Sequence, residues 1–74
     1  MKYKDIIASI LDIDDVNKIK EDDDLDELNF DSLARINLIS FIDDEANIEI
    51  DPEEIENIKT VFDLNNFIES KLKS

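Results

Sequence analysis

The chain contains no glycine and a single proline among its 74 residues. Tight β-hairpins depend on Asn-Gly, Asp-Gly or similar turns, because glycine adopts positive φ without steric cost. Hairpins are therefore disfavoured, and the spacing of the apolar residues decides the fold class. That spacing is helical almost throughout, with apolar residues recurring three and four positions apart, which predicts an all-α fold.

The first half of the chain predicts two helices joined by a long connection. The first helix covers roughly residues 3–13, and its apolar stripe consists of Tyr3, Ile6, Ile7, Ile10 and Leu11. The second helix begins with Asp31 as N-cap and runs to about Asn47. The polar connection over residues 14–30 contains spaced apolar residues, which predicts a loop packed on the core. These residues are Val16, Ile19, Leu25, Leu28 and Phe30.

The second half predicts a short extended piece around residues 48–51 and then two more helices. Asp51-Pro52 supplies an N-cap and a proline at the first helical position, for a brief helix that ends near Ile58. Thr60-Val61-Phe62-Asp63 fits a capping pattern and opens the last helix, with Lys71 and Lys73 near its end. The apolar positions of that helix are Val61, Leu64, Phe67, Ile68 and Leu72. We expect a single domain over residues 1–74, a small four-helix bundle with a long first loop and a short third helix.

Size and charge exclude several classes of function. A domain this small buries only about 60% of its unfolded surface, so its thin core leaves no room for a deep active-site cleft. Its 21 acidic and 8 basic residues give a formal net charge of −13. Such a field repels nucleic acid and anionic lipid, and it favours partners that present Lys/Arg patches. We therefore expect no nucleic-acid partner.

The chain also lacks cysteine and histidine. This excludes a disulfide framework, a thiolate metal site and the commonest general base, so any catalysis would have to rest on carboxylates alone. We expect that the protein is not an enzyme. The apolar run near the N-terminus is too short and interrupted for a signal peptide or a membrane span, which predicts a cytoplasmic protein.

A run of acids, Asp22-Asp23-Asp24 with Asp26, invites comparison with a calcium-binding loop. Such a loop needs a central glycine and a glutamate at its twelfth position, and that position is Leu33 here. We therefore expect no EF-hand. Weak screening by divalent ions and a plain solvated face remain the alternatives, and we expect no specific metal site.

The tripeptide Asp31-Ser32-Leu33 opens the longest amphipathic stretch of the chain. The first turn of a helix offers unsatisfied N–H groups and the positive end of the helix dipole, so a phosphodiester attached to Ser32 would be stabilised there. Serine is also common near helix starts for ordinary capping. The tripeptide alone leaves both interpretations open.

The second helix should present two faces. We predict a core face formed by Ile36, Leu38, Ile39, Ile42 and Ala46. The opposite stripe consists of Leu33, Asn37, Ser40 and Asp44, flanked by Arg35 and Asp43. Because this stripe begins one residue after Ser32, we expect it to be a partner-docking surface, with Leu33 as its one apolar anchor.

The stretch Leu28-Asn29-Phe30-Asp31-Ser32-Leu33 resembles the core motif Leu-Gly-x-Asp-Ser-Leu of the acyl carrier protein family, which includes peptidyl and D-alanyl carriers. The resemblance covers essentially the whole chain, including the acids Asp43-Asp44-Glu45, the turn Asp51-Pro52-Glu53-Glu54 and Lys59-Thr60-Val61. In this family the serine carries a 4′-phosphopantetheine arm, whose thiol holds cargo as a thioester. The resemblance implies that Ser32 is the modified residue, that Asp31 is its neighbour in the motif and that Leu33 contacts partner enzymes. A phosphopantetheinyl transferase would attach the arm.

The sequence departs from the family pattern at two places. Asn29 stands where glycine is usual, and asparagine is the next best residue at positive φ, so we expect the turn to survive. Ala46 stands where phenylalanine is common, while Phe30 and Phe41 are larger than the residues often found at their positions. The aromatic bulk of the core is thereby redistributed.

The resemblance leaves the pathway open. Housekeeping fatty-acid carriers usually expose a strongly acidic stripe on the second helix, whereas Ala34, Arg35, Asn37 and Ser40 follow the motif here. This slightly favours a specialised polyketide or aminoacyl pathway over fatty-acid synthesis. We expect a monomer whose partners are acyl- or aminoacyl-transferring enzymes with basic docking patches. The alternative is an acidic helical adaptor without a prosthetic group, in which Ser32 is an ordinary capping serine.

Overall fold

The computed structural model describes residues 2–72, and this part of the chain is all-α as predicted. Its four α-helices are α1 (Lys4–Leu11), α2 (Ser32–Ala46), α3 (Pro52–Glu56) and α4 (Val61–Leu72). The long connection between α1 and α2 contains two short 3₁₀ turns, Val16–Lys18 and Leu25–Leu28, which sequence reasoning did not predict. Lys73, which was expected at the end of the last helix, lies outside the described residues.

Apolar side chains from all four helices and from the long connection meet in one core. Nine of the largest are fully buried: Ile7, Ile19, Leu25, Leu38, Ile42, Ile55, Val61, Leu64 and Ile68. Phe30 is buried as well, while Val16 and Leu28 pack partly buried against the core. The expectation that the long connection packs on the core is therefore confirmed.

The helix ends follow local rules that the sequence revealed. In α3, Asp51 Oδ1 accepts from the Glu53 N–H at 3.1 Å and Glu54 Oε2 accepts from the Asp51 N–H at 3.2 Å, which forms a capping box. At α4, Thr60 Oγ1 accepts from the Asp63 N–H at 3.2 Å and Asp63 Oδ2 accepts from the Thr60 N–H at 3.3 Å. Both predicted starts are confirmed. The third helix ends at Glu56, two residues before the predicted Ile58.

Backbone hydrogen bonds fasten the long connection to the start of α4. The Leu25 N–H donates to the Lys59 carbonyl at 2.9 Å, and the Val61 and Phe62 N–H groups donate to the Asp23 and Glu21 carbonyls at 3.0 and 2.9 Å. The bonds from Val61 and Phe62 satisfy N–H groups in the first turn of α4 that have no partner within the helix. The connection is thus a structural part of the bundle.

A buried amide ties the beginning of the described chain to α4. Asn65 is only 7% exposed, and its Oδ1 accepts a hydrogen bond from the Tyr3 N–H at 3.0 Å. The bond supplies a partner for a polar group that would be costly to bury alone. No sequence pattern predicts this bond, because the two residues are 62 positions apart.

Several acids make specific local contacts. Lys71 Nζ lies 2.9 Å from Glu54 Oε1 and joins α4 to α3. This hydrogen bond, together with the one from the Asp51 N–H, lowers the pKa of Glu54. In the connection, Asp23 Oδ2 accepts from the Lys20 N–H at 2.9 Å and Asp24 Oδ1 accepts from the Asp26 N–H at 3.1 Å. Across residues 2–72, no group of three or more acids is placed to hold a metal ion.

The high net charge generates a prediction about stability. Because −13 on so small a bundle opposes compaction, added salt should screen the repulsion and raise the melting temperature by several degrees between low and moderate ionic strength. Thermal melts followed by circular dichroism at neutral pH measure the effect. Near the isoelectric point of about 4.1 the same salt series should have little effect. A flat response at neutral pH would contradict the prediction.

Candidate functional site

In the backbone, a left-handed turn at Asn29 directly precedes the candidate site. The residue has φ 61° and ψ 43°, and the N–H groups of Asn29 and Phe30 both donate to the Leu25 carbonyl. The Asn29 carbonyl in turn accepts from the Asp31 N–H at 2.8 Å. The expectation that asparagine supports this turn is confirmed. The turn sends Phe30 into the core and directs the chain into α2.

Asp31 caps α2, as predicted. Its backbone is extended, and its Oδ1 accepts from the Ala34 N–H at 3.0 Å. The Arg35 N–H donates to the Asp31 carbonyl at 3.0 Å and begins the helical hydrogen-bond pattern. The cap therefore fixes Ser32 at the first helical position.

The hydroxyl of Ser32 is accessible and unengaged. Ser32 is exposed, and its side chain has no hydrogen-bond partner among residues 2–72. The backbone N–H groups of Ser32 and Leu33 likewise donate to no acceptor in that range. Asp31 performs the capping, so the interpretation of Ser32 as an ordinary capping serine loses its structural basis.

The predicted stripe of α2 is exposed to solvent throughout. Leu33 is 65% exposed, and the other members, Asn37, Ser40 and Asp44, are exposed with the flanking Arg35 and Asp43. Leu33, Asn37, Ser40 and Asp44 thus lie on one side of α2, beginning beside Ser32, with Asp43 at its edge. Arg35, two positions from Leu33, lies about 200° away around the helix and does not share that side. Their role in docking stays a prediction.

The predicted core face of α2 needs correction. Ile36 is 58% exposed, whereas Ala34, which was placed with the exposed residues, is buried. Residues two positions apart lie about 200° apart around a helix, so Ile36 cannot share the face of Leu38. The buried line is Ala34, Leu38 and Ile42, four residues apart, while Ile39 and Ala46 are half-buried. The exposed side of α2 therefore has two apolar residues, Leu33 and Ile36, where one was expected.

Charge is unevenly distributed along α2. Arg35 is the only basic residue of the helix, and its guanidinium lies 5.7 Å from the centre of the Phe30 ring, within cation–π range. Asp43, Asp44 and Glu45 occupy the C-terminal end, where the helix dipole disfavours negative charge. The exposed surface of α2, taken around the whole helix, thus changes from apolar and cationic near Ser32 to acidic at the far end.

Comparison with known proteins places this arrangement in a family. The family model for the phosphopantetheine attachment site matches residues 4–68. The acyl carrier protein of Thermosynechococcus vestitus is 38% identical over 71 residues, which cover 96% of this chain and 88% of that protein. The acyl carrier protein of Clostridium acetobutylicum is 39% identical over 69 residues, which cover 93% and 90%. The chain belongs to the acyl carrier protein family. The acyl carrier protein of Bdellovibrio bacteriovorus is 36% identical over 73 residues, which cover 99% and 94%.

No solved structure matches the chain significantly. Family membership makes the protein a non-catalytic carrier with a covalent 4′-phosphopantetheine arm. When bound, that arm supplies the thiol on which cargo is held. The carrier role implies a phosphopantetheinyl transferase and acyl-transferring enzymes as partners. None of the helices within residues 2–72 combines the length and apolar content needed to cross a membrane.

The residues of the site fit this arm. A phosphodiester needs an accessible hydroxyl, and the Ser32 hydroxyl is exposed and unengaged. The negative charge of the phosphodiester would lie at the positive end of the α2 dipole. There it would be near the backbone N–H groups of Ser32 and Leu33, which have no acceptor among the described residues. Asp31 is already engaged with the Ala34 N–H and keeps the helix start in place.

The turn at Asn29 gives a testable prediction. A left-handed conformation costs a residue with a Cβ atom roughly 1–2 kcal/mol, which asparagine partly avoids. Asn29→Ala should therefore lower the free energy of unfolding by about 1 kcal/mol, whereas Asn29→Gly should leave it unchanged or raise it. Urea denaturation of the three proteins measures both changes. Equal destabilisation by alanine and glycine would show that the Asn29 side chain, and not its φ angle, matters.

Proposed function

We propose that Ser32 is the attachment residue of this carrier and that the arm presents acyl or aminoacyl cargo to successive partner enzymes. The observation that carries the proposal is the free, exposed Ser32 hydroxyl at the first position of a helix capped by its neighbour Asp31. The motif in which Ser32 stands lies within the matched residues 4–68. The protein holds and presents the cargo and performs no chemistry on it.

Attachment is a phosphoryl transfer to the serine oxygen. Ser32 Oγ attacks the pyrophosphate of coenzyme A, where a new Oγ–P bond forms as the P–O bond to the departing adenosine 3′,5′-bisphosphate breaks. The hydroxyl proton passes to a base on the transferase, and Mg²⁺ bound by the transferase neutralises the pyrophosphate. The chain contributes an unhindered nucleophile at a helix start that favours the resulting negative charge.

Partners dock on the exposed side of α2, according to this proposal. Leu33 and Ile36 lie one helical turn apart and give the surface an apolar centre, while Asp43 and Asp44 add charge at its far end. Those acids oppose the helix dipole, so their position is better explained by attraction to basic partners than by helix stability. Electrostatic steering speeds such encounters without demanding tight binding, which suits a carrier that visits several enzymes.

The pathway we favour is a specialised one, with polyketide or aminoacyl cargo. The middle of the exposed side carries Ile36, Asn37 and Ser40, so its acids are confined to one end. Fatty-acid synthesis is the second candidate. If a malonyl transferase of fatty-acid synthesis loads this carrier as fast as it loads its own, the preference is wrong. We further propose that the protein acts as a cytoplasmic monomer formed by one carrier domain.

The attachment site is tested by intact mass. Incubation with coenzyme A, Mg²⁺ and a broad-specificity transferase should add about 340 Da. Ser32→Ala should abolish the addition because no other hydroxyl stands in the motif, whereas the control Ser40→Ala on the same helix should be modified fully. Modification that persists in Ser32→Ala would overturn the assignment. Wild-type protein that stays unmodified with every transferase tried would favour the adaptor.

The docking surface is tested by charge substitution. Leu33→Glu and Ile36→Glu should each slow modification on the order of tenfold, as expected when a central apolar contact of about 1.4 kcal/mol is lost. Since both side chains are exposed, the free energy of unfolding should change by less than about 0.5 kcal/mol. Ser40→Glu adds the same charge to the same side of α2 without removing an apolar contact, so it should have a much smaller effect. If Leu33→Glu unfolds the domain, or if all three variants behave alike, the apolar centre is not the anchor.

A further inference from the structure

The only basic residue of α2 stands beside the proposed attachment residue. Arg35 comes three positions after Ser32, and residues three apart on a helix are neighbours, with Cβ atoms about 5–6 Å apart. Leu33 lies about 100° from Ser32 around the helix in one direction, and Arg35 lies about 60° from it in the other. Ser32 therefore stands between the predicted docking stripe, which begins at Leu33, and a cationic flank of the same helix.

An aromatic ring holds the guanidinium of Arg35 near the start of α2. The guanidinium lies 5.7 Å from the centre of the Phe30 ring, and Phe30 directly precedes the N-cap residue Asp31. The Arg35 side chain therefore points back towards the N-terminal end of α2, as long side chains on helices generally do. Because Phe30 is buried in the core, its ring is a fixed support for an exposed guanidinium.

The donors of Arg35 are available to an added anion. Among residues 2–72, no carboxylate forms an ion pair with Arg35, and its side chain makes no hydrogen bond. Asp31 stands one helical turn before it, but Asp31 Oδ1 already accepts from the Ala34 N–H at 3.0 Å. A guanidinium presents five N–H donors in a planar fork that matches the oxygens of a phosphate group.

We propose that Arg35 binds the phosphodiester at the root of the prosthetic arm. The proposal rests on attachment at Ser32, because the phosphorus atom would then follow directly on Ser32 Oγ, on the side of the helix next to Arg35. The phosphodiester would also stand beside the carboxylate of Asp31, and Asp26 lines the same surface depression as Asp31 and Phe30. The guanidinium offsets the repulsion that these carboxylates exert on it.

Such a contact positions the arm without locking it. Ion pairs between exposed groups favour the paired state by only about two- to fivefold, so the paired and free states exchange readily. In the paired state the root of the arm lies on the Arg35 flank and leaves Leu33 uncovered for a partner. Arg35 is therefore a positioning residue for the arm, whereas the sequence pattern placed it at the rim of the docking stripe.

Phosphorus-31 NMR of the loaded carrier tests the proposal, because it observes the phosphodiester directly. A broad-specificity transferase supplied with coenzyme A loads the wild type, Arg35→Gln and Arg35→Lys. Arg35→Gln should shift the phosphodiester resonance, and Arg35→Lys, which keeps the charge but loses the fork of donors, should give an intermediate position. Added salt should move the wild-type resonance towards that of Arg35→Gln and leave the variant nearly unchanged. Identical resonances in the wild type and Arg35→Gln, or equal responses to salt, would overturn the proposal.

Lys4→Gln is the matched control, because it also removes one positive charge. Lys4 begins α1, and the next residue, Asp5, lies near Phe41, far along α2 from Ser32. Lys4→Gln should leave the phosphorus resonance in place, and a shift equal to that of Arg35→Gln would contradict the proposal. Slower loading of Arg35→Gln without a change in resonance would make Arg35 a transferase contact and refute the proposal as well. Intact mass separates the two claims: loading at Ser32 without the resonance change refutes only the role of Arg35, and no loading at all refutes both.

Discussion

The backbone hydrogen bonds between the long connection and the start of α4 hold the functional end of the molecule in place. Leu25 donates to Lys59, and Val61 donates to Asp23, so the connection is fixed on both sides of Asp24, the residue that caps its second 3₁₀ turn. Leu25 and Phe30 can then bury their side chains, and the turn at Asn29 between them has a defined direction. Without these hydrogen bonds, a loop of this length would not hold the start of α2 in one position. The position of Ser32 therefore depends on contacts made far from it.

In this chain without glycine, Asp and Asn occupy the positions where the backbone turns or where a short element begins. Within residues 2–72, three residues adopt positive φ, Asp12, Asn29 and Asn47, and they are of the types that tolerate this conformation best after glycine. Aspartate also caps the 3₁₀ turns and two of the helices, through Asp15, Asp24, Asp31 and Asp51. Part of the net charge of −13 thus comes from aspartates that start or end short elements. Asp43, Asp44 and Glu45 cap no element of the described residues, and our proposal gives them a role in attracting basic partners.

Local features were predictable and distant ones were not. The caps at Asp31, Asp51 and Thr60 could be located because each bonds a residue within three positions of itself. The Asn65 bond to Tyr3 and the pairing of Asp23 with Val61 join separate segments, and no spacing in the sequence encodes them. The placement of Ile36 failed for another reason: α2 is apolar on more than one side, so the apolar pattern alone could not fix which side faces the core.

Ser32 and Leu33 depend on the same helix start, which links the proposed attachment site to the proposed docking surface. Asp31 Oδ1 accepts from the Ala34 N–H, and this cap holds the first turn of α2, in which Ser32 and Leu33 are both exposed. Ala34, the residue after Leu33, is buried against the core, so the first turn cannot rotate without exposing it. If the arm is attached at Ser32 and partners contact Leu33, the two features keep a fixed spacing, because one cap and one buried side chain hold the turn that carries both.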